Sequence, residues 1–256
     1  MTTGLRRDRS LHLADQIRAV LFDMGGTLDG DGAHWFDRFV ELFERAGLAD
    51  LGHERLKDAF YYADDRANHD PDMPRLGFYP MVDRYARWQL ERLGLNDPGK
   101  YELLYRGFAD PADALLRRHR SLLALLHESG LKLGIISNFC GNIQTICDEY
   151  GYSDYLSATL DSRHVGVSKP NPAIFGLALR ELGLEPGEAV YVGDSFERDV
   201  RAARAAGLRA VWVSDSSSTS GANGDAVKAD HVIASLLDLP AALGVSPAEE
   251  GLRRDW

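Results

Sequence analysis

Two hydrophobic rhythms divide the chain. Four consecutive apolar residues, Ala19-Val20-Leu21-Phe22, stop abruptly on Asp23 and read as a short strand buried on both faces. From about residue 33 to residue 108 the rhythm becomes helical. Trp35, Phe36, Phe39, Val40 and Phe43 recur at three- and four-residue steps before Gly47. Leu56, Phe60 and Tyr61 mark a second helix, which ends before the polar run Asn68-His69-Asp70-Pro71-Asp72-Met73-Pro74. A third helix spans Phe78 to Leu93 and stops at Gly94, and a shorter fourth covers Tyr101 to Phe108. Their aromatic residues are expected to form the core of a small helical bundle.

A separate helix is expected to start at Pro111 and run through Leu115, Leu116, Leu122, Leu123 and Leu126 to Gly130, with Arg117-Arg118-His119-Arg120 as its solvated face. Strands and helices then alternate. Apolar runs at 131–136, 158–160, 189–192, 210–213 and 231–233 read as strands, with helices near 143–150, 172–182, 198–206 and 236–243. Such alternation predicts an α/β fold, a doubly wound parallel sheet covered on both faces. The expected division is an extension (1–17), an α/β core (18–30 and 111–256) and an inserted helical domain (31–110). A Ser-, Gly- and Thr-rich loop is expected at 215–225.

Charge and composition narrow the function classes. The net charge of −10 disfavours a nucleic-acid backbone as partner. No stretch reaches the length of a membrane span or a signal-peptide core, so no membrane association and a cytoplasmic location are expected. Cys140 and Cys147 are placed on one helix, too far apart to bridge, and are expected to stay reduced. Cys140 lies near a candidate site loop. Oligomeric state is not legible.

Four chemically competent pieces fall at strand ends or in the loops that follow. They are Asp23 with Thr27, Ser137-Asn138, Lys169 in Ser168-Lys169-Pro170-Asn171-Pro172, and Gly193-Asp194-Ser195 with Asp199. Strand ends are where open α/β sheets place their chemistry. A carboxylate nucleophile attacking a phosphate dianion needs a bridging cation, further positive charge, and hydroxyls or amides for the equatorial oxygens. Those are the residue types present.

In this order and spacing the pieces resemble the haloacid dehalogenase superfamily of hydrolases, over residues 19–243. The resemblance implies a Rossmann-like core with a helical cap inserted after the first motif, in the manner of the phosphatase branch. It further implies a covalent aspartyl intermediate at Asp23, Thr27 and Ser137 hydrogen-bonding the transferred group, and Lys169 stabilising its charge. Mg2+ would sit on Asp23, Asp194 and the Gly25 carbonyl. Gly26 and Asn138 would contact the substrate, a small phosphorylated molecule, with Ser195 and Asp199 in support.

One departure matters. The family's phosphatases carry a second aspartate two residues after the first, as acid and base, and here that position is Gly25. Losing such a group typically costs about 10²–10⁴-fold. Asp29, Asp31 and His34 are the nearest substitutes. A catalytically weak member that binds a phosphorylated ligand or a protein partner is a second reading, and a carbon–halogen or carbon–phosphorus hydrolase a third. The carbon–phosphorus branch needs a cap lysine, for which Lys57 and Lys100 are the candidates. His53, His69, Trp35 and Trp88 are weighed as entrance residues and expected in core or surface roles instead. His164 has no assigned role.

Overall fold

The computed structural model describes residues 16–214 and 229–245. Residues 1–15 of the expected extension and the polar loop at 215–225 lie outside them. Strand β1 (Ala19–Phe22) is followed by four helices: α1 (Trp35–Arg45), α2 (His53–His69), α3 (Phe78–Leu93) and α4 (Pro98–Glu128). The chain then alternates through β2 (Lys132–Ser137), α5 (Ile143–Glu149), β3 (Leu156–Asp161), α6 (Ser162–Val165), α7 (Ala173–Leu182), β4 (Ala189–Gly193), α8 (Ala202–Ala205), β5 (Arg209–Val213), β6 (His231–Ile233) and α9 (Leu239–Ala242).

All six strands are parallel, in the order β3-β2-β1-β4-β5-β6. This is the doubly wound, Rossmann-like sheet that the alternation predicted. The winding reverses between β1 and β4, and ligand crevices of such sheets open there, beyond the carboxyl ends of the strands.

Strand pleating explains why the runs are apolar without alternation. Val20, Phe22, Val190 and Val192 point into one cluster, which continues into the helices α1 to α4. Ala19, Leu21, Ala189 and Tyr191 point the other way, against α7 and α8. Both faces of the central strands β1 and β4 are therefore core, and Asp23 and Asp194 follow directly after them.

Three expectations need correction. Helix α4 is continuous from Pro98 to Glu128, with Pro111 inside it. The proline denies the Gly107 carbonyl its usual partner. The helix persists because Ala109, Ala112, Leu116 and Phe108 around it are fully buried, and Arg38 Nη2 donates to the Phe108 carbonyl at 3.2 Å. Tertiary burial outweighs the local break. Cys140 is not helical but precedes α5 in a loop, and both cysteines are free and buried. Burial pushes the Cys140 thiol well above its ordinary value and Cys147 to about 12, which removes a reactive thiolate. Helix 198–206 is instead a wide turn, Phe196–Arg201, leading into the short α8.

A fourth correction falls within the basic run. Arg117, Arg118 and Arg120 are exposed, but His119 is completely buried and its Nδ1 donates to the Leu28 carbonyl at 2.7 Å. It ties α4 to the loop after β1. Burial lowers its pKa against the opposing pull of the Leu28 carbonyl. The folded protein thus resists a proton that the unfolded chain takes near 6.5, so this contribution is complete above that pH and is lost as pH falls below it. Urea midpoints followed between about pH 8 and about pH 5 should fall on the acid side. His119→Leu should cost about 1–3 kcal/mol at neutral pH by leaving the Leu28 carbonyl unpaired, and should flatten the acid decline.

Candidate active site

The site begins where β1 runs out. The Asp23 amide still bonds the Val192 carbonyl of β4 at 2.9 Å, so the carboxylate emerges at the sheet's reversal point. Its Oδ1 accepts from the Met24 amide at 2.8 Å and lies 2.9 Å from Lys169 Nζ. The following residues, Met24–Leu28, form a wide turn with Gly26 at φ +88°. A Cβ on Gly26 would fall 2.6 Å from Asp194 Oδ2, so only glycine lets the two loops close on each other.

Strand β4 delivers the second half. Gly193 is required for a similar reason, because a Cβ there would lie 2.4 Å from the Asp199 carboxyl carbon. Asp199 is fully buried, and its two oxygens accept from Lys169 Nζ at 2.6 Å and from the Ser195 amide at 2.8 Å. Lys169 also donates to the Tyr191 hydroxyl at 2.7 Å, and Tyr191 in turn donates to the Ile136 carbonyl. Lys169 is therefore gripped from three sides.

Electrostatics follow from this packing. Oxygens of Asp23, Asp194 and Asp199 come within 4.8 Å of one another, against a single ammonium. Burial, then Asp199 and Asp23, drives the Asp194 carboxyl well above the usual carboxylate range. Burial also raises Asp199, against the pull of Lys169. Burial would discharge Lys169, but Asp199 and Asp23 outweigh it and hold the ammonium above its ordinary value. The excess negative charge calls for a cation.

The four motif pieces do converge, but their hydrogen bonds divide the labour. Thr27 is fully buried and its hydroxyl donates to Asp194 Oδ1 at 2.9 Å. The Gly26 amide donates to Asp29 Oδ1 at 2.7 Å. The Asn138 side chain clamps the Lys169 backbone in both directions, each bond at 2.8 Å. These three residues orient the charged groups. Ser195 caps the turn that carries Asp199, its Oγ accepting from the Arg198 amide. Asp23, Gly25, Ser137, Asn138 and Lys169 open onto a cavity of about 530 Å³.

Of the three acid–base substitutes weighed for Gly25, two are committed elsewhere. Asp29 holds the Gly26 amide and the Trp35 indole at 2.6 Å, with burial raising its pKa against Arg38. Asp31 accepts from the Leu236 amide and the Ser235 hydroxyl. His34 alone of the three lines the cavity. Its Nδ1 accepts from the Phe36 amide at 3.2 Å, and burial, then Arg198, lowers its pKa. Neither Lys57 nor Lys100 lines the cavity. Trp35 does line it while also packing in the core, whereas His53 is exposed and His69 and Trp88 border a separate shallow hollow.

Sequence reasoning missed Asp64, Asn68, Tyr85, Arg163 and Arg198, all lining the same cavity. A signal existed for two of them: Phe60, Asp64 and Asn68 follow at four-residue steps, one face of α2. Asp64 accepts from the Tyr85 hydroxyl at 3.0 Å, and burial raises its carboxyl. Arg163 bonds the carbonyls of Ala67, Asp70 and Cys140, joining α2 to the sheet side of the cavity.

Comparison with known proteins matches this arrangement. A family model of haloacid dehalogenase-like hydrolases covers residues 17–207. The bovine haloacid dehalogenase-like hydrolase domain-containing protein 3 is 33% identical over 143 residues, 56% of this chain and 57% of its own length, so the match takes in little more than half of that relative. A Yersinia pestis phosphoglycolate phosphatase is 33% identical over 239 residues, 90% of this chain and 94% of its own. The crystal structure of a HAD phosphatase from Thermococcus onnurineus superposes with a TM-score of 0.51 at 25% identity, covering 91% of this chain and all of that one. The chain belongs to the haloacid dehalogenase-like hydrolases.

Proposed function

We propose that the protein is a magnesium-dependent phosphatase that hydrolyses a small phosphorylated molecule through an aspartyl-phosphate at Asp23. The observation that carries this reading is the meeting of Asp23, Lys169 and Asp194 at the sheet's reversal, beside a cavity of small-molecule size. The relatives named phosphoglycolate phosphatase and HAD phosphatase support the same substrate class. Two free thiols suit a cytoplasmic location.

The donor set fits a hard divalent cation. Asp23 and Asp194 each keep one carboxylate oxygen without a protein partner among the described residues, whereas both oxygens of Asp199 are taken. Asp23 and Asp194 would hold magnesium with the Gly25 carbonyl, and the ion would supply positive charge between nucleophile and phosphate dianion. Lys169 keeps Asp23 oriented and lends charge to the phosphoryl oxygens. Ser137, lining the cavity, would donate to one of them. An Asp23 oxygen attacks phosphorus as the ester P–O bond breaks, the departing oxygen takes a proton from water, and a second water then attacks phosphorus, breaking the bond to Asp23 and releasing phosphate with its proton lost to solvent. Among the described residues, 31–110 serve as the cap and 18–30, 111–214 and 229–245 as the core, with the reaction between them.

Gly25 favours a second reading, a phosphoryl-ligand binder with weak turnover, because no carboxylate stands ready there to protonate the leaving oxygen. Aryl phosphates, whose leaving groups need little protonation, separate the two. Purified protein should hydrolyse an activated aryl phosphate with magnesium, lose the activity with a chelator, and lose it in Asp23→Asn. Turnover equal to that of Asp23→Asn would leave the binding reading.

Position 25 itself offers a gain-of-function test. Its backbone, at φ −75° and ψ 117°, accepts any residue, and a Cβ would meet Trp35 and Phe139 no closer than 3.4 Å. Gly25→Asp should raise kcat toward alkyl phosphates by about 10²-fold or more, with a smaller gain on aryl phosphates. Equal rates of alkyl phosphate hydrolysis in the two proteins would show that another group already supplies the proton.

A further inference from the structure

Five aromatic side chains line the cavity: Trp35, Phe60, Tyr61, Tyr85 and Phe139. Asp29 holds the Trp35 indole and Asp64 holds the Tyr85 hydroxyl. Trp35 meets Tyr85 and Phe139 edge-on, with 5.3 and 5.9 Å between ring centres, and Phe60 meets Tyr61 in the same way at 5.3 Å. Rings interlocked like this form a wall before any ligand arrives. Tyr61 is 48% exposed, one of two large hydrophobic side chains left exposed among the described residues, and it borders the cavity. Gly25 extends the wall. A Cβ there would stand 3.4 Å from Trp35 Nε1 and 3.7 Å from the Phe139 ring, so the space beside Asp23 that a side chain would fill is open and bounded by two rings.

We propose that the molecule taken is a small aryl phosphate, its ring bound among Trp35, Tyr61 and Phe139 while its phosphoryl group meets Asp23 and Lys169. This rests on the phosphatase reading for the phosphoryl end and adds the identity of the leaving group. Aromatic walls favour a flat ring through edge-to-face and offset contacts, and a cavity of about 530 Å³ has room for a ring beside the phosphoryl group. The chemistry at position 25 points independently to the same class. A phenol gives up its proton at about pH 10, whereas an alkanol resembles water, at about 15.7. When an Asp23 oxygen attacks, the electron pair of the breaking P–O bond leaves on the ring oxygen as a phenoxide, which takes its proton from water afterwards. No acid is needed at Gly25 for that departure.

The test uses binding, so that it stands apart from turnover. Benzylphosphonate copies phenyl phosphate with carbon in place of the bridging oxygen. Its saturated counterpart, (cyclohexylmethyl)phosphonate, keeps the ring size without aromaticity, and ethylphosphonate has no ring. Titration calorimetry of the full chain with magnesium, at a pH where all three are dianions, should find benzylphosphonate bound about fivefold tighter than the saturated compound or better, and ethylphosphonate weakest. Tyr61→Leu and Phe139→Leu, which keep an apolar side chain, should each shrink the first ratio while ethylphosphonate binds as before. A thermal melt reports whether each variant is folded, and either folded variant suffices. Equal affinity for the two ring compounds, a ratio that survives both substitutions, or an equal fall for all three probes would overturn the proposal. If benzylphosphonate is preferred by a protein that cleaves no aryl phosphate, the ring site stands and the phosphatase reading fails. If phenyl phosphate is cleaved without that preference, the phosphatase reading stands and the ring site fails.

Discussion

A single buried ammonium holds the site together. Lys169 is 4% exposed, and it bridges Asp23 after β1 to Asp199 after β4 across the sheet's reversal. Removing such charges from water is expensive, and the expense is offset only when geometry and further hydrogen bonds are good. Here they are: Asn138 fixes the lysine backbone, Tyr191 shares its third proton, and the Ser195 amide completes Asp199. Yet the balance is incomplete. Lys169 neutralises one carboxylate of three, and the remaining charge faces Asp194 and the cavity. The fold thereby spends stability on a cluster whose charges are only partly balanced, a tension common at functional sites.

Glycine decides which contacts this cluster permits. Gly26 and Gly193 are steric necessities, since a methyl group at either would overlap the carboxylates of Asp194 or Asp199. Gly25 is different in kind. Its dihedral angles are ordinary and the space beside it is open to a Cβ, so no packing demand explains the glycine. Neither its backbone nor its Cβ surroundings require a glycine, and an added side chain would leave the charged frame of Asp23, Lys169 and Asp199 in place. Stability and catalytic competence are separable here at the level of adjacent residues.

The strands and the four motif pieces were legible in the sequence because both are local signals. An apolar run that stops on a polar residue marks a strand end, and strand ends in a parallel sheet share one edge. What escaped was anything decided by tertiary contact. Pro111 looked like a break and is bridged by buried neighbours on α4. His119 looked solvated amid three arginines and is the buried partner of Leu28. That Thr27 bonds Asp194 and Asn138 clamps the Lys169 backbone was likewise invisible in the motif pattern. Asp64 and Arg198 lie 134 positions apart and meet only across the cavity, so periodicity could place the first on a helix face but could not say what that face looked at.

The inserted helices are connected to the loop that carries Asp23 by a short chain of polar contacts through otherwise apolar packing. Gly26 donates to Asp29, Asp29 accepts from Trp35 at the start of α1, and Arg38 one turn on bonds the Asp29 and Phe108 carbonyls while lying 3.9 Å over the Phe108 ring. Phe108 stacks on Phe39 and meets Trp35 edge-on, so α1 and α4 are locked around this chain. Asp29 is committed for a structural reason: it ties the loop after β1 to the bundle through Gly26, Trp35 and Arg38. His119 supports the same loop from below through Leu28. With Asp29 and Asp31 both consumed in holding the loop, His34 is the one of the three acid–base substitutes that faces the cavity, beside Asp64, Asn68, Arg163 and Arg198. A fold that holds its charged centre on the sheet and lines the rest of the cavity from the inserted helices can vary that lining without rebuilding the centre.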